Sequence, residues 1–468
     1  MSTYDRLING CLLPGFHGTA VPPWVAGLAG VILFPQNLSG GDSVRRLSAQ
    51  VRAISPDALI AIDEEGGDVT RLHYETGSPY PGNLALGSVD DLDLTGRVAT
   101  AIAADLVAAG VNYNLAPSFD VNSDPDNPVI GVRSFGSSPG LVGAHGAAFV
   151  RAMGEAGVAT AAKHFPGHGA TVTDPHQDAL PVISCDLETL RLRELAPFVS
   201  AVEAGVSSLM IAHAMYPALD PENPATLSRR ILHDLVRGEL GYEGVLLSTA
   251  TALVPAGEVP GTAVRSFQAG ADLLLIGPDD GGQCAAIRAA VTDAVRRGDL
   301  EVSALERAAS RVAEMRAHAT RPSSGLDAAR RAVRVEGDVV LRERAVVVEL
   351  RAPANVVAGE AYWSVADALT RRDLVAHAVR VDEQGPTPDA FLAVDGGHRL
   401  VIVVRDAYRI PWQRAWVEKV MAERPDTVLV GVGMPDDATL AGQAHILTLG
   451  AGGPNIQAAV EALAGDLP

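Results

Sequence analysis

Between residues 30 and 276 the chain alternates short apolar runs with helical stretches, and polar residues appear where each run stops. The runs are Gly30–Phe34, Ala58–Ile62, Val111–Leu115, Val158–Ala161, Ser207–Ala212, Val245–Leu247 and Leu273–Ile276. Strands without charge on either face read as buried on both sides, as parallel strands are. Alternation with helices implies parallel neighbours joined by right-handed crossovers. About seven such units, with polar residues at the strand ends, predict an N-terminal (β/α)8 TIM-type barrel over residues 1–325. The competing architecture is a doubly wound open sheet. It would expect a glycine-rich phosphate loop after its first strand, and none is visible.

Helices are expected over Leu92–Ala109, Pro139–Ala156, Leu187–Ala204, Ser228–Leu240 with Ser228 as N-cap, and Val264–Ala269. Past Gly282 the chain reads as helical to about Ala319, and Thr320-Arg321-Pro322-Ser323-Ser324-Gly325 reads as a linker. A smaller α/β sandwich domain follows over residues 335–468. Its expected strands are Ala345–Leu350, Leu400–Val404, Thr427–Val432 and His445–Leu449. Few polar residues at those strand ends look like catalysts.

Composition narrows the function classes. A formal net charge of −19 argues against a nucleic-acid groove or an anionic membrane as partner. Three cysteines, Cys11, Cys185 and Cys284, make neither a disulfide framework nor a zinc site. The N-terminus lacks a basic region followed by a long apolar core, and no apolar run reaches the roughly 18 residues of a membrane span. A cytoplasmic protein acting on a small molecule is expected, with no metal or organic cofactor implied, because the histidines are scattered over different strand ends.

The densest chemistry lies in Val158–Asp178, VATAAKHFPGHGATVTDPHQD. A strand opens it, and a loop with a lysine, histidines and aspartates closes it. Asp174 and His176 are two residues apart. An aspartate that accepts a bond from one imidazole nitrogen fixes the tautomer and frees the other nitrogen for proton transfer. Lys163 and His164, at the strand's end, are placed to hydrogen-bond hydroxyls. Asp63 and Arg71 flank Gly66-Gly67, which lets the backbone turn sharply. Arg133 stands in a loop shaped by Pro128 and Gly131. Together these make a polar ring suited to a sugar, although any one of them alone fits a surface ion pair.

These stretches carry a family resemblance. Asp63-Glu64-Glu65-Gly66-Gly67, Asn127-Pro128-Val129-Ile130-Gly131-Val132-Arg133-Ser134-Phe135 and Lys163-His164-Phe165-Pro166-Gly167-His168-Gly169 with Asp174-Pro175-His176 resemble glycoside hydrolase family 3. More narrowly, they resemble its bacterial β-N-acetylhexosaminidase branch. Ala212-His213, Tyr216-Pro217-Ala218-Leu219-Asp220 and Pro224-Ala225-Thr226-Leu227-Ser228 add agreement. The resemblance runs from about residue 10 to 320 and continues more loosely into the second domain. It implies a TIM-type barrel followed by an α/β sandwich. It also implies that Asp63, Arg71, Arg133, Lys163 and His164 bind an N-acetylglucosamine unit of a small glycoconjugate, and that His176, held by Asp174, is the general acid/base.

One position departs from the family. Retaining glycosidases need a carboxylate nucleophile, about 5–5.5 Å from the acid/base when both are carboxyls. The resemblance places it after the strand Gly241-Tyr242-Glu243-Gly244-Val245-Leu246-Leu247-Ser248, where this chain has Thr249. A threonine hydroxyl offers no negative charge, so ordinary retaining hydrolysis is expected to be weak or absent unless Asp120 or Asp178 substitutes. Three readings follow: hydrolysis by another route, such as attack by the substrate's own acetamido oxygen; acyl transfer or deacylation by a set of Asp174, His176 and Thr249 or Ser248; or a sugar-binding pseudoenzyme. The retained His-Asp pair argues against the last.

Overall fold

The computed structural model describes residues 3–171, 180–319, 324–351, 363–392 and 398–467. The chain divides into two compact units, Met1–Arg321 and Pro322–Pro468.

The first unit holds eight parallel strands: β1 (Leu12–Phe16), β2 (Gly30–Ile32), β3 (Leu59–Ile62), β4 (Tyr113–Asn114), β5 (Ala159–Phe165), β6 (Ser208–Ile211), β7 (Val245–Ser248) and β8 (Leu273–Asp279). Their order is β1-β8-β7-β6-β5-β4-β3-β2, and the two end strands lie against each other. The Ala29 N–H, just before β2, donates to the Asn9 carbonyl at 2.8 Å. This is a nearly closed α/β barrel, as the alternation predicts.

Strand parity builds it. Leu13, Ile32, Leu59, Tyr113, Ala161, Met210, Leu247 and Leu275, one from each strand, form a cluster of their own. That cluster is the barrel interior. Their neighbours Leu12, Val31, Ile60, Ala162, Leu209, Leu246 and Leu274 join the surrounding core with Leu47, Ile102, Phe149, Phe198 and Ile287 from the helices. Successive side chains point to opposite faces, so each strand feeds both layers.

The structure adds and corrects elements. Strand β1 was not expected from LLPGF, because Pro14 gives no N–H to a ladder. It is tolerated because β1 carries a ladder on one side only, to β8. The stretch from Gly282 is two helices, Gly282–Arg297 and Val302–Ala319, divided where Gly298 takes φ +79°. The helix expected from Val264 begins at Val259. Ser228 makes the expected capping bond, its Oγ accepting the Ile231 N–H at 3.2 Å.

The second unit is a six-stranded sheet of β9 (Arg334–Glu336), β10 (Ala345–Leu350), β11 (Val375–Val381), β12 (Leu400–Val404), β13 (Val428–Gly431) and β14 (Ala444–Leu447), ordered β11-β10-β12-β13-β14-β9. All pairs are parallel except β9 with β14. The two strands missing from the sequence reading, β9 and β11, are the edges. Their side chains are largely exposed, so no apolar run marks them. Among the described residues no helix is long and apolar enough to cross a membrane.

Candidate active site

The inward register of three strands carries on to a polar residue at the C-terminal end, just past β3 and β7 and within the last residues of β5. On β3, Leu59 and Ala61 face the barrel interior, and Asp63 is next in that series. Lys163 follows Ala159 and Ala161 on β5. Thr249 follows Val245 and Leu247 on β7. All three line one cavity of about 450 Å³ at the C-terminal ends of the strands, with Arg71, Arg133 and His164. In barrels of this kind chemistry is kept at that end. His164 would face outward by parity. A register shift against β6 between Lys163 and Phe165 accompanies its turn toward the cavity.

The polar wall is a chain of alternating charges. Asp63 accepts from Lys163 Nζ at 2.9 Å and from Arg71 Nη2 at 3.3 Å. Lys163 Nζ also lies 2.7 Å from Glu65 Oε1. Arg133 grips Glu65 with two donors, Nη2 at 2.7 Å and Nε at 3.1 Å. Burial alone would raise both carboxyls. Arg133 and Lys163 nevertheless hold Glu65 down to about 2, and Lys163 and Arg71 hold Asp63 below its ordinary range. The basic groups are therefore fixed in place, and a ligand meets them preorganised.

Two further groups support the wall. Asp120 is fully buried and accepts from His164 Nδ1 at 2.8 Å and from the His168 N–H at 2.7 Å. Burial pushes His164 down to about 4, against the pull of Asp120, so the ring is neutral at pH 7. His213 also lines the cavity, with Nδ1 2.7 Å from Thr226 Oγ1. The sequence reading missed Glu65 as a site residue, although its place two residues after Asp63 puts it on the same side of an extended segment. It weighed Asp120 only as a substitute nucleophile.

The hydroxyls after β7 separate. Thr249 lines the cavity, and its Oγ–H donates to the Ile211 carbonyl at 3.0 Å. Ser248 is fully buried on the opposite side of the strand, its Oγ 3.4 Å from Ser266 Oγ. Asp120 is no part of the cavity lining either. Among the described residues Asp63 is the one carboxylate that lines the cavity. Asp174, His176 and Asp178 lie outside the described residues. Among the described residues no group of three or more His, Cys, Asp and Glu could hold a metal ion.

A parallel α/β barrel with a charged cavity at the C-terminal ends of its strands places the first unit in the TIM-barrel class. Residues 25–315 match the glycosyl hydrolase family 3 N terminal domain. The chain is 38% identical over 280 residues to a β-hexosaminidase of Stenotrophomonas maltophilia, covering 57% of this chain and 82% of that protein. It is 35% identical over 289 residues to β-hexosaminidase A of Pseudoalteromonas piscicida, covering 55% of this chain and 48% of that longer relative. A solved glycoside hydrolase family 3 β-N-acetylglucosaminidase from Paenibacillus sp. str. FPU-7 superposes with a TM-score of 0.64 at 29% identity, over 100% of this chain and 98% of that one. The chain belongs to glycoside hydrolase family 3.

Proposed function

We propose that the barrel domain, residues 1–325, binds the N-acetylglucosamine-type end of a small glycoconjugate. Asp63, Arg71, Arg133, Lys163 and His164 grip the sugar, and His176, oriented by Asp174, carries the proton. Ordinary retaining hydrolysis is weak, because Thr249 occupies the nucleophile position. The observation that carries this reading is the shared cavity itself: the five sugar-binding candidates and Thr249 line one wall-to-wall space. The relatives' β-hexosaminidase activity supports the choice of amino sugar.

Thr249 cannot supply what a carboxylate does. An oxocarbenium-like transition state needs a negative charge beneath the anomeric carbon, and the loss commonly costs several orders of magnitude in rate. Asp63 is engaged by Lys163 and Arg71 and is poorly free to move there. Cleavage assisted by the substrate's acetamido oxygen is the remaining hydrolytic route. The acyl-transfer set fits less well. The Thr249 hydroxyl proton is committed to a main-chain carbonyl, and Ser248 faces away.

Turnover of a chromogenic N-acetylglucosaminide by wild type and by Thr249→Asp tests the proposal. The expected result is slow or no release by wild type and a gain of about two orders of magnitude or more in the variant. Fast release by wild type, slowed by Thr249→Asp, would show that another group attacks. Saturable sugar binding without turnover by either protein would leave a pseudoenzyme.

A further inference from the structure

Asp120 follows β4 in the stretch Ala116-Pro117-Ser118-Phe119-Asp120 and has no exposure to solvent. Apart from Ser118 in its own segment, the partners of its carboxylate lie at the end of β5 and just beyond it. Oδ1 accepts the His168 N–H at 2.7 Å and the His164 N–H at 3.1 Å. Oδ2 accepts from His164 Nδ1 at 2.8 Å, from Ser118 Oγ at 2.9 Å and from the same His164 N–H at 3.2 Å. Asp120 is absent from the cavity lining, whereas His164 is part of it. Asp120 therefore meets a ligand only through residues it holds, the His164 ring and the backbone of His168, which also lines the cavity.

The direction of the bond is set by chemistry. An ionised carboxylate only accepts, so Nδ1 of His164 must carry the hydrogen. Asp120 is held ionised. Burial would raise it, but the charge His164 takes up in acid, the bonds from His164 Nδ1 and its main-chain N–H, and His168 bring it far below the ordinary carboxylate range. With the ring neutral and Nδ1 protonated, Nε2 is left with a lone pair. The neighbouring side chains Lys163, Arg71 and Arg133 are donors only, and Asp63 already accepts from two of them.

We propose that Asp120 is a positioning residue that fixes His164 in the Nδ1–H tautomer, so that Nε2 offers the cavity an acceptor and selects a ligand with a hydroxyl donor at that point. The identity of the hydroxyl as a sugar's rests on the function proposed above; the tautomer does not.

Asp120→Asn discriminates this from a merely structural role. The His168 N–H meets Oδ1 at 2.7 Å and cannot reverse, whereas the His164 N–H is shared by Oδ1 at 3.1 Å and Oδ2 at 3.2 Å, so the Asn carbonyl is held at the Oδ1 position by His168. The Asn amide then faces His164 Nδ1 and donates to it, which moves the ring proton to Nε2. Nitrogen-15 NMR of the wild-type protein at pH 7 should show His164 protonated at Nδ1 alone. Asp120→Asn should show it protonated at Nε2, with the circular dichroism unchanged and N-acetylglucosamine binding weakened about tenfold, the scale of one hydrogen bond. A wild-type ring protonated at Nε2 overturns the proposal, and that measurement needs no variant to fold. So does Asp120→Asn keeping Nδ1–H, or inverting the tautomer while binding the sugar as tightly as wild type. If the tautomer inverts but neither protein binds N-acetylglucosamine, the positioning role of Asp120 stands and the amino-sugar reading of the cavity falls.

Discussion

Glu65 is nearly inaccessible, at 2% exposure, and stands between two cations of the cavity wall. Its two oxygens satisfy Arg133 twice and Lys163 once. Removing its charge leaves Lys163 with Asp63 alone and Arg133 with one main-chain carbonyl, that of Val129 at 3.1 Å. Breaking a buried pair by deleting one partner commonly costs about 3–5 kcal/mol, because the other charge stays desolvated. Glu65→Gln should therefore lower the urea-unfolding free energy by about that much and weaken sugar binding with it. The exposed pair Arg342–Asp338 is the control, since pairs of that kind contribute about 0–1 kcal/mol. A Glu65→Gln protein as stable as Arg342→Ala would mean that the wall is not a coupled network. At this scale the sequence was readable in part. Asp63, Arg71, Arg133, Lys163 and His164 stand out by residue type at strand ends and glycine turns. The choice between Ser248 and Thr249 did not, because it depends on parity counted from an inward residue such as Leu247.

Elements hold those residues where they are, and close backbone approaches show how tightly. The short helix Asn83–Val89 braces the loop that carries Arg133: Asn83 Nδ2 donates to the Arg133 carbonyl at 2.7 Å. A Cβ on Gly87 would lie 1.8 Å from the Phe135 carbonyl oxygen. That atom is backbone and cannot give way without moving the loop. Gly87→Ala is thus expected to destabilise the protein by about 1–3 kcal/mol, the usual range for overpacking. It should also weaken sugar binding by displacing Arg133. Calorimetry with a binding titration checks both, and an unchanged affinity would uncouple helix from site. The same scale explains what the sequence disclosed of the fold. Strands β2 to β8 announce themselves as apolar runs because both faces are buried. Strand β1 is hidden by Pro14, and β9 and β11 by the exposure of edge strands. The break at Gly298 escapes helical periodicity and is marked instead by two arginines followed by a glycine at φ +79°, a helix C-terminus signal.

For the whole molecule, the buried charges of the barrel mouth tie folding to pH. His164 titrates at about 4 in the folded chain against an ordinary 6.5, so the unfolded chain binds its proton first. Its contribution is complete above about pH 6.5 and is lost as the pH falls toward 4. Glu65 titrates at about 2 against an ordinary 4.5, so its contribution is complete above about pH 4.5 and is lost toward 2. Each shift corresponds to about 3 kcal/mol at most, from 1.4 kcal/mol per unit. Glu64, Glu194 and Asp272 act in the opposite sense. Burial raises their folded-state values, so acid relieves them as it penalises the other two. The two windows overlap near pH 4, and only the upper one, between pH 7 and 5, belongs to His164 without Glu65. Urea-unfolding free energies at pH 7, 5 and 3.5 should fall stepwise for wild type. His164→Gln should flatten the step between pH 7 and 5, and Glu65→Gln should reduce the step below pH 5, which the two groups share. An identical change from pH 7 to 5 in wild type and His164→Gln would mean that His164 is as free to protonate in the folded chain as in the unfolded one, because Glu64, Glu194 and Asp272 contribute equally to both.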